Sequence, residues 1–134
     1  MENKTLRKIN IQIYGPICMA GYTVTKNNPL TMHHIIPLCK GGKSTIENSS
    51  NVSVLAHSGI HIVSYDDYIK EKRIIEYLLY FKEHPDEKIS KEFAQWLKNE
   101  IINLEYEEIM TKNKLLIYKR RKKKWIIHGE KYKF

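Results

Sequence analysis

Apolar and polar residues alternate early in the chain: Ile9, Ile11 and Ile13 are apolar, Asn10 and Gln12 polar. A period of two predicts a strand or extended segment within residues 6–14, ended by Gly15-Pro16. Residues 17–30 read as loop, with a turn at Asn27-Asn28-Pro29. Leu30 to Pro37 form a short apolar stretch broken by proline, and Lys40-Gly41-Gly42-Lys43 reads as a turn. Asn51 to Ala56 are rich in β-branched residues and fit either a second strand or the start of the next helix. From about His57 the period becomes helical. Ile74, Tyr77, Leu78 and Phe81 occupy one helix face ending before Pro85. Ser90 is the expected N-cap of a further helix carrying Phe93, Leu97, Ile101 and Leu104, with Trp96 alongside. Two short apolar runs, 115–118 and 125–127, flank a basic stretch and predict a hairpin with a basic tip or a basic helical extension. No repeat is visible.

Length and composition narrow the class. A chain of 134 residues with 42% apolar content suits one folded core. The pattern divides it into a core over 1–67, a helical extension over 68–111 packed on that core, and a basic segment over 112–134. Every apolar run is far shorter than the roughly 18 residues that span a bilayer, so no membrane partner is expected. Met1-Glu2-Asn3-Lys4 leads into no signal-like stretch, which makes the cytosol the expected compartment. Cys18 and Cys39 belong to no Cys-x-x-Cys pair, which excludes a four-cysteine zinc knuckle. Both read as packing thiols, with a disulfide between them left open.

The net charge of +8 is unevenly placed. Residues 112–134 carry ten Lys/Arg against one acid, Glu130, whereas the remaining residues carry 13 against 14. The whole basic excess therefore sits at one end and favours a polyanionic partner, most simply nucleic acid. Lys119, Arg120, Arg121, Lys122, Lys123 and Lys124 are the candidate phosphate contacts, with Tyr118 and Trp125 beside them. A solvated tail is the plainer alternative.

Four of the six histidines fall between His33 and His61. His57 and His61, four apart, share one face of a helix and are close enough to grip one metal ion. His33 and His34 are adjacent and point to opposite sides of an extended segment. One can join the metal while the other does a different task on the same edge. The Gly41-Gly42 turn lets the chain reverse between the pairs. Cutting a phosphodiester needs a base to deprotonate water and a cation to neutralise charge on the phosphate. Histidine is the side chain most easily poised as that base. A metal-bound imidazole has its lone pair occupied, so one histidine must stay off the metal. His84 and His128 fit no such pattern and read as surface residues.

The run Leu30-Thr31-Met32-His33-His34-Ile35-Ile36-Pro37, then Gly41-Gly42, Thr45-Ile46-Glu47-Asn48, and Ala56-His57-x-x-x-His61 resembles the HNH endonuclease motif. It is similar in particular to small HNH proteins of phages and prophages, and its late histidine spacing resembles the colicin-type nuclease centres. The resemblance covers about residues 15–67. It implies an α+β fold with a ββα-metal core, followed here by C-terminal helices. It also implies His33, His57 and His61 as metal ligands, His34 as general base, and Asn48 as the residue bracing the loop that carries the base. Asn51 is the rival to Asn48, which keeps the nine-residue step to His57. Many HNH domains add two Cys-x-x-Cys zinc pairs, of which only Cys18 has a counterpart here.

The function implied is metal-dependent DNA nicking or cleavage, leaving a 5′-phosphate and a 3′-hydroxyl. The cofactor is one divalent ion. Three imidazoles favour Zn, Ni or Mn, with Mg able to act if phosphate and water fill the remaining positions. The alternative is a binder on an HNH-like scaffold, such as a phage-encoded inhibitor of a host defence complex like a CRISPR effector, with a host or phage protein as partner and no cleavage.

Overall fold

A computed structural model describes residues 1–105 of the chain. The chain divides into two compact units, Met1–Lys98 and Asn99–Phe134. The first unit runs through a helix α1 (Asn3–Tyr14), a strand β1 (Leu30–His34), a 3-10 turn (Leu38–Lys40), a strand β2 (Ser49–Ser53), and helices α2 (Val54–Asp66) and α3 (Tyr68–Glu83). Residues 87–98 are helical too (α4), as are residues 99–105 of the second unit. The fold is α+β: β1 and β2 form a two-stranded antiparallel sheet, in which His33 faces Ser50 and His34 faces Ser49, and α2 follows directly.

The strand expected within residues 6–14 is instead α1. Its buried stripe is Leu6 and Asn10, one turn apart, with Tyr14 half-buried after them; Ile13 is 57% exposed. The alternation of isoleucines misleads because the buried position is a polar one. The Asn10 amide donates to Leu6 O (3.0 Å) and to Ser49 Oγ (2.8 Å), and its oxygen accepts from Lys82 Nζ (3.3 Å). A buried amide satisfied on both ends is tolerated where an unsatisfied one is not. Gly15 ends the helix at φ 88°, a left-handed backbone that disfavours a side chain, and its N–H closes on Ile11 O (2.8 Å).

Ser53 settles the ambiguity over residues 51–56. Its Oγ accepts from Ala56 N (3.2 Å), so the strand ends at Ser53 and α2 starts at Val54, three residues before His57. Asp67, in extended backbone, breaks α2 from α3 and caps the latter through Ile69 N (2.7 Å). Ser90 is not an N-cap. Its hydroxyl donates to Glu87 O (3.0 Å) within the first turn of α4, while Asp86 accepts from Lys88 N (2.9 Å). Cys18 and Cys39 are both free thiols. Cys18 is buried and accepts from Ser53 N (3.2 Å); Cys39 is exposed, which corrects its reading as a packing residue.

The core joins Leu6, Met19, Ile35 and Val52 to Ala56, Ile60 and Val63 of α2, and to Ile74, Leu78 and Phe81 of α3, all at most 2% exposed. Phe93 and Leu97 of α4 are buried as their spacing predicts, and Phe93 stacks on Tyr77 with ring centroids 4.8 Å apart. Truncating such side chains costs roughly 2–5 kcal/mol each. Within the first unit α3 packs on α2. The expected basic hairpin, Lys119–Lys124, Tyr118, Trp125 and His128 lie outside the described residues.

Candidate metal centre

The site begins with β1. Residues two apart on a strand share a face, so Thr31 and His33 point the same way and His34 the other. His33 is 6% exposed and turned inward; His34 is half-buried. Opposite the inward face runs α2, whose start at Val54 places His57 and His61 one turn apart on the side facing β1. The rings of His33, His57 and His61 converge. Their centroids are 5.1 Å (His33–His57), 5.5 Å (His33–His61) and 4.7 Å (His57–His61) apart.

One nitrogen from each of the three lies within 4.8 Å of the other two. Donors about 2.1 Å from a shared tetrahedral ion stand roughly 3.4 Å apart, so small side-chain rotations bring all three onto one ion. The electrostatics agree. Burial, reinforced by the neighbouring His57, His61 and His34, pushes His33 down to about 3. Burial and then His61 lower His57 in the same direction. Both rings are therefore neutral near pH 7 and keep a lone pair free to ligate. Three neutral imidazoles fit a transition-metal ion well.

His34 lines the same cleft, about 350 Å³ in volume, together with Asn3, His33, His57 and His61. Its Nε2 lies 3.1 Å from Ser44 Oγ. The loop after it is held by Asn48, whose Oδ1 accepts from Ile36 N (2.8 Å) and whose Nδ2 donates to Ile36 O (3.0 Å) and Lys43 O (2.9 Å). The Asn48 carbonyl accepts from Ile35 N as well (2.9 Å). Gly42 is where the loop comes closest: a Cβ there would sit 1.8 Å from Ile36 O and 2.8 Å from Asn48 Nδ2. Asn51 has a different task, donating from Nδ2 to Arg7 O of α1 (2.9 Å). The two asparagines are thus told apart by their partners: Asn48 holds the loop that follows His34, Asn51 holds a helix.

Two residues of the site were not foreseen. Lys82 of α3 reaches under the Asn48 loop and donates to the carbonyls of Ile46 and Ser49, which flank Asn48. Burial lowers its pKa to about 8, against the raising influence of Glu47. No local pattern marks this lysine, because α3 meets the loop only in the tertiary fold. Thr31 is the second, with its Oγ 2.8 Å from His57 Nδ1. Its position two residues before His33 on a strand was the available signal.

Residues 17–52 match the family model of the HNH endonucleases. The match spans β1, the Gly41-Gly42 turn and β2 as far as Val52, and so contains His33, His34 and Asn48; His57 and His61 lie beyond it on α2. An HNH domain implies nuclease-type chemistry on nucleic acid with a divalent metal. No curated protein and no solved structure matches the chain. No helix among the described residues is long and apolar enough to cross a membrane.

Proposed function

We propose that the protein is a metal-dependent endonuclease that hydrolyses a phosphodiester of DNA in the cytosol. The observation that carries this reading is the convergence of His33, His57 and His61 beside a fourth histidine, His34, on one cleft. His33, His57 and His61 would hold a divalent ion, which when bound would neutralise the charge that builds on the phosphate and the leaving oxygen.

His34 acts as general base. With its proton on Nε2, donated to Ser44 Oγ, the ring presents its Nδ1 lone pair to a water. That water's oxygen bonds to phosphorus, the P–O3′ bond breaks, the water's proton ends on His34, and the leaving O3′ takes a proton from solvent. The products are a 5′-phosphate and a 3′-hydroxyl. Asn48 is a positioning residue: by holding Ile36 and Lys43 it fixes the backbone two residues beyond His34. Lys119 to Lys124 are assigned to phosphate contacts, where cations add affinity without sequence preference.

Supercoiled plasmid incubated with Mg²⁺, Mn²⁺, Ni²⁺ or Zn²⁺, beside a chelator control, tests the reading. The expected product is nicked circle, since a single centre cuts one strand at a time. DNA that is bound but stays uncut with every ion contradicts it and favours the binder on an HNH-like scaffold.

A further inference from the structure

The hydroxyl of Thr31 has two short contacts and one proton. It lies 2.8 Å from Val52 O and 2.8 Å from His57 Nδ1. A carbonyl oxygen can only accept, so the bond to Val52 consumes the hydroxyl proton. The contact to His57 is then a hydrogen bond only if the imidazole donates. This places the ring proton of His57 on Nδ1 and leaves the lone pair on Nε2. The opposite tautomer would set two lone pairs against each other at 2.8 Å.

We infer that Thr31 is a positioning residue for the metal: it locks His57 as the Nδ1–H tautomer and thereby commits Nε2 to the ion shared with His33 and His61. The inference rests on the metal-site reading above and adds to it the residue that prepares one ligand. The backbone carries the arrangement. Thr31 and Val52 are directly paired across β1 and β2, and Thr31 shares the inward face of β1 with His33. The rigid sheet thus supplies one ligand directly and orients a second on α2. Metal-binding histidines commonly have their other ring nitrogen held in this way, and removing the holder costs about 10–100-fold in metal affinity.

Thr31→Val and Thr31→Ser separate the hydroxyl from the side chain's shape. Valine keeps the branched volume and loses the donor and acceptor; serine keeps the hydroxyl. The first readout is long-range ¹H–¹⁵N NMR of the histidine rings in the metal-free full chain at about pH 8, where neutral imidazoles dominate. His57, assigned by its absence in His57→Ala, should show the Nδ1–H pattern in the wild type and in Thr31→Ser. In Thr31→Val it should move to a mixture or to Nε2–H. A wild-type His57 carrying its proton on Nε2, or a pattern unchanged by valine, overturns the inference. The second readout is Zn²⁺ calorimetry. The expected result is a 10–100-fold loss in Thr31→Val with recovery in Thr31→Ser. Equal affinities in wild type and Thr31→Val overturn the assignment of Thr31 while leaving the metal site standing. A wild type that binds no Zn²⁺, Ni²⁺ or Mn²⁺ overturns the metal-site reading itself, and the tautomer pattern then reports on Thr31 alone.

Discussion

Replacing Asn48 with aspartate keeps the size and one acceptor of the side chain and removes only its donors. The native amide accepts from Ile36 N at 2.8 Å and donates to Ile36 O at 3.0 Å and Lys43 O at 2.9 Å. A carboxylate preserves the first bond, loses the other two, and sets a negative oxygen against two carbonyls. Each net hydrogen bond contributes about 0.5–1.5 kcal/mol. Asn48 is half-buried, so water softens the repulsion and the expected loss is roughly 2 kcal/mol at neutral pH. Gly42→Ala should perturb the same contact from the other side, because its new Cβ cannot stand 1.8 Å from Ile36 O without moving that carbonyl off Asn48. Urea titration measures both: the midpoint should fall while the slope stays near the wild-type value, since the surface exposed on unfolding hardly changes. Hydrogen exchange at the Ile36 amide adds a local reading and should be faster in Gly42→Ala than in Asn48→Asp. Wild-type midpoints in both variants would refute the view that this loop is braced by Asn48.

Two further outcomes follow from other parts of the site. His33 has a folded pKa of about 3 against an ordinary value of 6.5, so between those values the unfolded chain binds the extra proton. Metal-free stability should be fully present above pH 6.5 and fall as pH drops toward 3, by about 1.4 kcal/mol per pH unit from this group; a His33→Leu variant whose pH dependence equals the wild type's would contradict it. Lys82→Met keeps the length of the side chain and removes the cation, so the Ser49 carbonyl loses its Lys82 donor while the Ile46 carbonyl keeps Ser49 N and Oγ. The expected cost is roughly 2–3 kcal/mol in denaturant titration, with slower cleavage from a looser Asn48 loop, and a variant as stable as the wild type would show that α3 does not brace it.

The grouping of His33, His57 and His61 was more legible in the chain than the fold around it. His33-His34, the Gly41-Gly42 turn and the four-residue step from His57 to His61 are local patterns, and local geometry carries each of them into place. What escaped the pattern is tertiary. The stripe of α1 runs through Asn10, whose polarity is satisfied by Ser49 and Lys82 from elsewhere in the fold, so hydrophobic periodicity pointed to a strand. The reach of Lys82 under the loop cannot be read from its neighbours, which mark it only as the last basic residue of a helix. Cys39 is a short apolar-looking residue next to Pro37 and Leu38, yet the 3-10 turn carries it outward. Thr31 lay within reach of pattern reasoning, since a hydroxyl two residues before His33 on a strand shares its face.

If His34 takes a proton from water while His33, His57 and His61 hold the ion, losing His34 should remove cleavage and spare metal binding. This is tested most directly by measuring cleavage and metal affinity together in His34→Ala. Loss of a general base costs about 10²–10⁴-fold in rate. The expected result is plasmid nicking slowed by that factor with Zn²⁺ affinity within a few-fold of the wild type, because His34 is not among the three histidines whose nitrogens lie within 4.8 Å of one another. Nicking at the wild-type rate in His34→Ala would contradict the account.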